Sequence, residues 1–136
     1  KVIFQAYDVE NKVLEQAARQ DYDSFAADEL KAREMFFYPP FAQMLKMTIW
    51  DKDEAAALAL AKRVTTFLQG QQLEGKLCDF MALGPFPGLV AKVRDMYRFN
   101  ILVKAKDMKA VKEVLLASEF KEQRNLFFDV DPVNVI

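Results

Sequence analysis

Gly84–Lys104, with the sequence GPFPGLVAKVRDMYRFNILVK, is the stretch that best indicates the fold. Its first five residues, Gly84–Gly88, predict a turn and exclude a helix or a central strand, because proline fixes φ and lacks a backbone donor. Leu89–Arg94 and Tyr97–Ala105 each alternate in the way that is typical of half-buried strands. We therefore predict two strands in a hairpin-like unit.

Four cations and an aromatic residue are concentrated in this unit. Single-stranded nucleic acid is held by cations on its phosphates and aromatic rings under its bases, so the cluster predicts contact with nucleic acid. The alternative is a solvated strand surface, since exposed strands commonly carry lysine, or an Arg98 partly buried against a carboxylate. The candidate nucleic-acid-binding residues are Lys92, Arg94, Tyr97, Arg98 and Lys104.

Periodicity elsewhere in the chain predicts the remaining helices and strands. The predicted elements are a strand at Val2–Tyr7, helices at Asn11–Gln20 and from an Asp21 cap to Phe37, a strand from Phe41 to Trp50, a helical stripe from Ala57 to Leu68 ended by Gly70, a strand at Leu77–Leu83, a helix after an Asp107 cap and a strand at Leu126–Val130.

The order of these elements predicts the fold class. After residue 40, strand, helix, strand, strand, helix and strand follow one another. This is the split β-α-β-β-α-β plan of the ferredoxin-like α+β sandwich, with both helices on one face of an antiparallel sheet. We assign residues 41–136 to this domain, and residues 1–40 to an N-terminal strand and helical extension that packs on the edge or the open face of the sheet.

Composition excludes several classes of function. The net charge is −1 at pH 7, so any anion site must be a local patch. There is no histidine and one cysteine, Cys78, which excludes histidine-based triads, an intrachain disulfide and histidine- or four-cysteine zinc sites. No apolar run approaches the length of a membrane span and no phosphate-binding glycine-rich loop is present. We expect a soluble, cytoplasmic chain with no catalytic activity of its own.

Four short motifs carry a resemblance to a known family. In chain order they are Val2–Tyr7, Tyr38-Pro39-Pro40-Phe41, the Gly-Pro-x-Pro loop with its Lys-x-Arg and Tyr-Arg pairs, and Asp129-Val130-Asp131-Pro132. Together they resemble the C-terminal domain of PriA, the bacterial primosomal protein N′, a replication-restart DNA helicase. In that family the first motif resembles the strand after the last helicase motif. Since the chain begins at Lys1 within such a strand, we expect it to be part of a longer protein.

The resemblance implies a function as well as a fold. The fold would be similar to that of a small-subunit ribosomal protein, and the domain would help to recognise branched and single-stranded DNA at stalled forks. Its implied partners are the helicase lobes of the same chain, the acidic tail of single-stranded DNA-binding protein and other primosome proteins, with no membrane. The longer protein would be an ATP-dependent 3′-to-5′ helicase, so ATP, magnesium and zinc would belong to its other parts, and we expect no cofactor or metal in this chain.

The same resemblance places a partner site on the last helix. Met108, Lys109 and Lys112 would supply an apolar notch and cations for the acidic, Phe-ended tail of single-stranded DNA-binding protein. The family has an Arg with a Gln four residues later where this chain has Met108 and Lys112. It also usually has Gly-Arg where this chain has Asp95-Met96, which should weaken phosphate contact at the hairpin tip.

Other features leave alternatives open. Asp129 and Asp131 share one face of a strand and could hold a divalent metal, although a salt bridge to Arg98 suits two ligands better. Trp50 and Phe127, with Lys46, would form a base-stacking surface if they point to the open sheet face; aromatic residues at strand positions otherwise belong to the core. The alternative to a DNA-binding module is a free-standing ferredoxin-like regulatory or scaffold domain that binds a small ligand or self-associates.

Overall fold

The computed structural model describes residues 2–134 and divides them into four α-helices, four strands and one short 3-10 helix. From the first strand onward, the order of strands and α-helices is the predicted one. The elements are α1 Lys12–Arg19, α2 Tyr22–Met35, β1 Gln43–Asp51, α3 Glu54–Leu73, β2 Phe80–Val93, β3 Met96–Ala105, α4 Met108–Leu116, the 3-10 helix Glu119–Glu122 and β4 Leu126–Val130.

The four strands form one antiparallel sheet in the order β2-β3-β1-β4. Apolar residues at every second position of the two central strands, such as Met47, Ile49 and Ile101, are fully buried in a core shared with Val64 of α3 and Val111 of α4. Removing this apolar surface from water is the main favourable term in folding. The arrangement confirms the predicted ferredoxin-like α+β fold, and it leaves the second sheet face without a helix from α3 or α4.

Side chains at the helix starts explain where the α-helices begin. Oxygens of Asn11, Asp21, Asp53 and Asp107 accept hydrogen bonds of 2.9–3.1 Å from backbone N–H groups of the first turn. These N–H groups have no partner inside the helix, so each cap contributes roughly 1 kcal/mol. The caps at Asp21 and Asp107 are those that the sequence predicts.

The proline- and glycine-rich segment is strand rather than the predicted turn. β2 continues through Gly84–Gly88 to Val93, although its register against β3 shifts twice along the way. Since β2 is an outer strand that pairs with β3 alone, one of its edges makes no hydrogen bonds to another strand, and a proline without an N–H is tolerated there. The chain turns later, at Arg94 and Asp95.

Two further predictions are wrong: the strand at Val2–Tyr7 and the end of the long helix at Gly70. Val2–Tyr7 forms no strand in the part of the chain that the structure describes, and the side chains of Val2 and Ile3 are 78% and 82% exposed. A strand requires a partner for its backbone groups, and this segment pairs with none of the described strands. Helix α3 also passes through Gly70 and ends three residues later, because the left-handed residue that breaks it is Gly75, with φ +73°.

The N-terminal extension is a helical hairpin formed by α1 and α2. Lys12 Nζ lies 2.7 Å from Asp28 Oδ2, and Gln16 Nε2 donates to the same oxygen at 2.9 Å. The bond from Lys12, and then that from Gln16, lower the pKa of Asp28 from its ordinary value of 3.8. Helix α2 buries none of its residues. The extension reaches the open sheet face through the connector Phe36–Tyr38, which covers Lys104.

Candidate nucleic-acid interface

The tip of the β2–β3 hairpin brings three of the predicted residues together. Arg94 and Asp95 form a two-residue turn in which both have positive φ, 50° and 60°. Turns of this kind match the right-handed twist of the flanking strands. Arg94 is exposed at the turn, and Lys92 lies directly opposite Tyr97 in the register of the two strands. The hairpin therefore presents two cations and an aromatic ring at its end.

An ion pair at this tip restrains Lys92. Its Nζ lies 3.2 Å from Asp95 Oδ1 and 5.3 Å from the centre of the Tyr97 ring. The hydrogen bond to Asp95, and then the charges of Asp95 and Tyr97, raise the pKa of Lys92 above its ordinary value. Lys92 is thus a cation at physiological pH, but a phosphate must compete with Asp95 for it. The predicted weakening effect of Asp95 has a structural basis in this pair.

Arg98 follows Tyr97 in β3, so its side chain lies on the opposite side of the strand, on the open sheet face. Its guanidinium carbon is 5.3 Å from the centre of the Trp50 ring, which is the distance of a cation–π contact. On the other side it packs on Gly88, where a Cβ would lie 2.5 Å from Arg98 Nε. Nε is buried and has no hydrogen-bond partner, and no carboxylate pairs with Arg98 among residues 2–134. Arg98 is therefore held by packing and not by the expected carboxylate.

Lys104 is not available to a ligand in this structure, which corrects its place in the predicted interface. It is 3% exposed, donates to the carbonyl oxygen of Phe36 at 3.2 Å, and lies 3.4 Å from the centre of the Tyr38 ring. A buried ammonium needs such partners, because desolvating an unpaired charge is costly. Lys104 fastens the connector after α2 to the sheet.

A groove of about 550 Å³ occupies the open sheet face. The structure places Lys46, Trp50 and Phe127 in its wall, so the aromatic pair points to the open face and not to the core. Thr48 and Phe127 face each other across β1 and β4, and Trp50 lies two residues further along β1. The remaining lining residues are Thr48, Met96, Arg98, Asn100, Arg124 and Asn125.

The three residues of the predicted tail site on α4 lie in three different environments in the structure. Met108 is 1% exposed and belongs to the core, so it cannot form a surface notch. Lys109 points to solvent, 3.8 Å from Glu113. Lys112 instead lines a separate groove of about 330 Å³ between α4 and β4. We name this the α4–β4 groove; its lining is Leu45, Lys112, Leu115, Leu116, Lys121, Phe128 and Val130.

Of the two aspartates near the C-terminus, Asp131 binds the chain after β4 to Met44 of β1. Asp131 donates its backbone N–H to Met44 at 2.8 Å, and its side chain accepts from the N–H of Met44 at 3.4 Å. Asp129 lies opposite Lys46, whereas Arg98 lies opposite Trp50, so the predicted salt bridge to Arg98 is wrong. No cluster of three or more potential metal ligands occurs among the residues that the structure describes.

Sequence reasoning missed Gly88, Asn100 and Arg124. Asn100 is buried at an open-face position of β3, and its side-chain carbonyl accepts from the Thr48 hydroxyl at 3.0 Å. The signal was available, since Asn100 is the polar residue two positions after Arg98 in an apolar strand. Arg124 lies just before β4 in a loop, where periodicity gives no information.

The fold and these surfaces define a class of protein: a ferredoxin-like α+β domain with a basic hairpin and an aromatic, basic groove on its open sheet face. Residues 34–133 match the primosomal protein N C-terminal domain family, which covers well over half of the chain. The chain belongs to this family. Its described part, residues 2–134, contains no helix with the length and apolar character needed to cross a membrane.

Curated relatives agree with this assignment. The chain is 33% identical over 124 residues to the replication restart protein PriA of Treponema pallidum, covering 88% of this chain and 18% of that protein. It is 28% identical over 111 residues to PriA of Thermotoga maritima, covering 82% and 14%, and 25% identical over 137 residues to PriA of Bacillus subtilis, covering 96% and 16%. The chain thus spans less than a fifth of each relative, and it corresponds to the PriA C-terminal domain.

Proposed function

We propose that this chain is the DNA- and partner-binding module of a longer cytoplasmic replication-restart helicase, and that it grips branched or single-stranded DNA at stalled forks. The observation that carries the proposal is the hairpin tip, where Lys92 faces Tyr97 and Arg94 lies in the adjoining turn, in a member of the primosomal family. The module itself performs no catalysis. ATP hydrolysis, with its magnesium, and zinc binding belong to other parts of the longer protein.

The charge distribution favours a local grip over general attraction. The net charge of −1 gives no overall basic field, so DNA affinity must come from a few phosphates near the hairpin tip. Cations on phosphates and an aromatic ring beside them are the usual components of such a surface. Binding by this chain alone is therefore weak and falls steeply with salt.

The test is a fluorescence-anisotropy titration of the chain with labelled forked and linear DNA over a range of salt concentrations. Each phosphate contact contributes slightly under one unit of log–log slope, so the double variant Lys92→Ala/Arg94→Ala should flatten the slope by about one to two units. A charge-matched double variant, Lys62→Ala/Lys109→Ala, removes two exposed cations from α3 and α4 and should leave the slope unchanged. Equal effects of the two double variants would rule the hairpin out.

The α4–β4 groove is the part of this module that we propose for the tail of single-stranded DNA-binding protein. Its floor is apolar, with Leu45 and Leu115 buried and Phe128 44% exposed, and two cations, Lys112 and Lys121, line it. A Phe-ended acidic tail needs an apolar cavity beside a cation for its terminal carboxylate. The apolar residues of this groove therefore replace Met108 as the proposed contact for the Phe side chain of the tail.

A tail peptide should bind this chain with a Kd of tens of micromolar or weaker, roughly −6 kcal/mol, because other parts of the longer protein would complete the pocket. The measurement is an NMR titration of the labelled chain, with a peptide lacking the last Phe as the ligand control. Lys112→Glu should abolish the shifts, whereas Lys109→Glu, which changes the same helix outside the groove, should not. Shifts that persist in Lys112→Glu would place the tail elsewhere.

A further inference from the structure

The open-face groove has the chemistry of a site for one nucleotide. Trp50 and Phe127 supply aromatic surface, Arg98 and Arg124 supply positive charge, and no carboxylate is among the lining residues. Its volume of about 550 Å³ falls within the range of small-molecule sites. We infer that this groove binds an unpaired nucleotide of single-stranded DNA, with the base stacked against Trp50 and Phe127. This inference rests on the proposed DNA-binding function and adds a site separate from the hairpin tip.

The aromatic pair is positioned for stacking. Phe127 is 55% exposed on an outer strand, and Trp50 is a partly exposed diagonal neighbour on β1. Exposed aromatic rings on a sheet face attract bases because every base has a flat π surface, and each stacked base contributes to affinity without sequence preference. The stacking requires a base that is free of its own helix, so a single strand fits and a duplex does not.

Arg98 supplies the second observation. Its side chain is fixed between Gly88 and Trp50, yet its Nε is buried without a hydrogen-bond partner. A guanidinium fixed before binding loses little freedom when it meets an anion, and its remaining N–H groups have the geometry for phosphate oxygens. Arg124, at the other end of the groove, forms no ion pair within residues 2–134.

Asn100 adds a group that can meet the edge of a base. Its carbonyl oxygen already accepts from Thr48 at 3.0 Å, and its side-chain NH₂ makes no hydrogen bond within the described residues. An amide donor at the floor of a groove can donate to the acceptor oxygens that pyrimidine bases carry. We therefore expect pyrimidine tracts to bind at least as well as purine tracts.

Trp50 is the only tryptophan of the chain, so its fluorescence reports on this groove directly. The experiment titrates the chain with a short oligothymidylate, with an abasic strand of the same length and with a blunt duplex. We expect quenching by the oligothymidylate, and little from the other two. Phe127→Ala should weaken binding about fivefold or more, whereas Phe128→Ala, which changes the neighbouring ring on the other face of β4, should not.

The outcomes separate this inference from the proposed function. If forked DNA binds with the expected dependence on Lys92 and Arg94 but Trp50 is not quenched, the groove inference falls and the hairpin proposal stands. Suppose instead that oligothymidylate quenches Trp50 equally in the Lys92→Ala/Arg94→Ala variant and that the affinity and salt slope of forked DNA do not change in that variant. The groove inference then stands and the hairpin proposal falls. Equal losses of affinity in Phe127→Ala and Phe128→Ala, or equal quenching by the abasic strand, would also contradict the stacking of a base in this groove.

Discussion

Gly88 and Arg98 are packed so closely that a Cβ on Gly88 would lie 2.5 Å from Arg98 Nε and 2.9 Å from Nη2. The absence of a side chain at position 88 is what allows the guanidinium to lie between β2 and the Trp50 ring. Gly88 has no positive φ, so its requirement is for space and not for a left-handed backbone. A glycine of the Pro-Gly segment thus positions a cation on the open sheet face.

Gly88→Ala should displace Arg98 without unfolding the domain. The atoms in conflict are at the end of a long side chain that can rotate to another position, so the free energy of unfolding should change by no more than about 1 kcal/mol. The guanidinium should leave the Trp50 ring, and the emission of Trp50 should change with it. Emission spectra and urea denaturation check both statements. An unchanged spectrum together with a loss of several kcal/mol would contradict this packing.

Asp95→Asn should strengthen DNA binding. The change removes the carboxylate that holds Lys92 at 3.2 Å, and asparagine tolerates the positive φ of 60° at this position. Because an exposed ion pair contributes little in water, affinity for forked DNA should rise only roughly two- to fivefold at low salt. The control is Asp23→Asn, which removes an exposed carboxylate from α2. An equal gain in both variants would mean that only net charge matters.

Two glycines near the end of α3 should respond in opposite directions to alanine. Gly70 lies inside the helix, and no atom lies within 4 Å of the position that a Cβ would take, so Gly70→Ala should stabilise the domain by about 0.5–1 kcal/mol. Gly75 has φ +73°, so Gly75→Ala should destabilise it by about 1 kcal/mol. Urea denaturation measures both values. Destabilisation by Gly70→Ala would place the helix end at Gly70 after all.

Acid should loosen the α1–α2 hairpin at its ion pair. The pKa of Asp28 is lowered in the folded state, so its contribution to stability is complete above its ordinary value of 3.8 and is lost as pH falls through the lowered value. An NMR titration of the Asp28 carboxyl group should give a midpoint below 3.8. Lys12→Ala should move that midpoint upward, because the bond from Lys12 is the largest cause of the shift. No movement would show that Lys12 is not the partner in solution.

The periodic parts of the fold could be predicted from the sequence. The existence of strand β3 and the cap residues Asp21 and Asp107 depend on local geometry, and the structure confirms each of them. The predicted half-burial of β3 is wrong, because both faces of the strand are buried from Phe99 to Ala105. Alternation also assigns residues to one of two sheet faces, but it does not say which face the helices cover. This is why the sequence left Trp50 and Phe127 open between core and surface.

What could not be predicted depends on contacts between distant segments. Lys104 has the sequence pattern of a surface cation, but the connector after α2 covers it, and nothing near Lys104 in the sequence indicates this. Gly84–Gly88 has the composition of a turn, but as part of an outer strand it needs only one paired edge. Resemblance alone places Met108 in a surface notch, but it packs into the core, where it is 1% exposed.

An NMR titration of the labelled chain with forked DNA that carries a single-stranded arm tests the DNA-binding role of the hairpin most directly. We expect the largest amide shifts in Lys92–Arg98, with further shifts at Trp50 and Phe127, while α1, α2 and α3 stay unperturbed. Added salt should reverse the shifts at the hairpin tip, because the contacts there are to phosphates. Shifts confined to α1 and α2, or no shifts at all at DNA concentrations that saturate the anisotropy signal, would contradict a DNA-binding role for the hairpin.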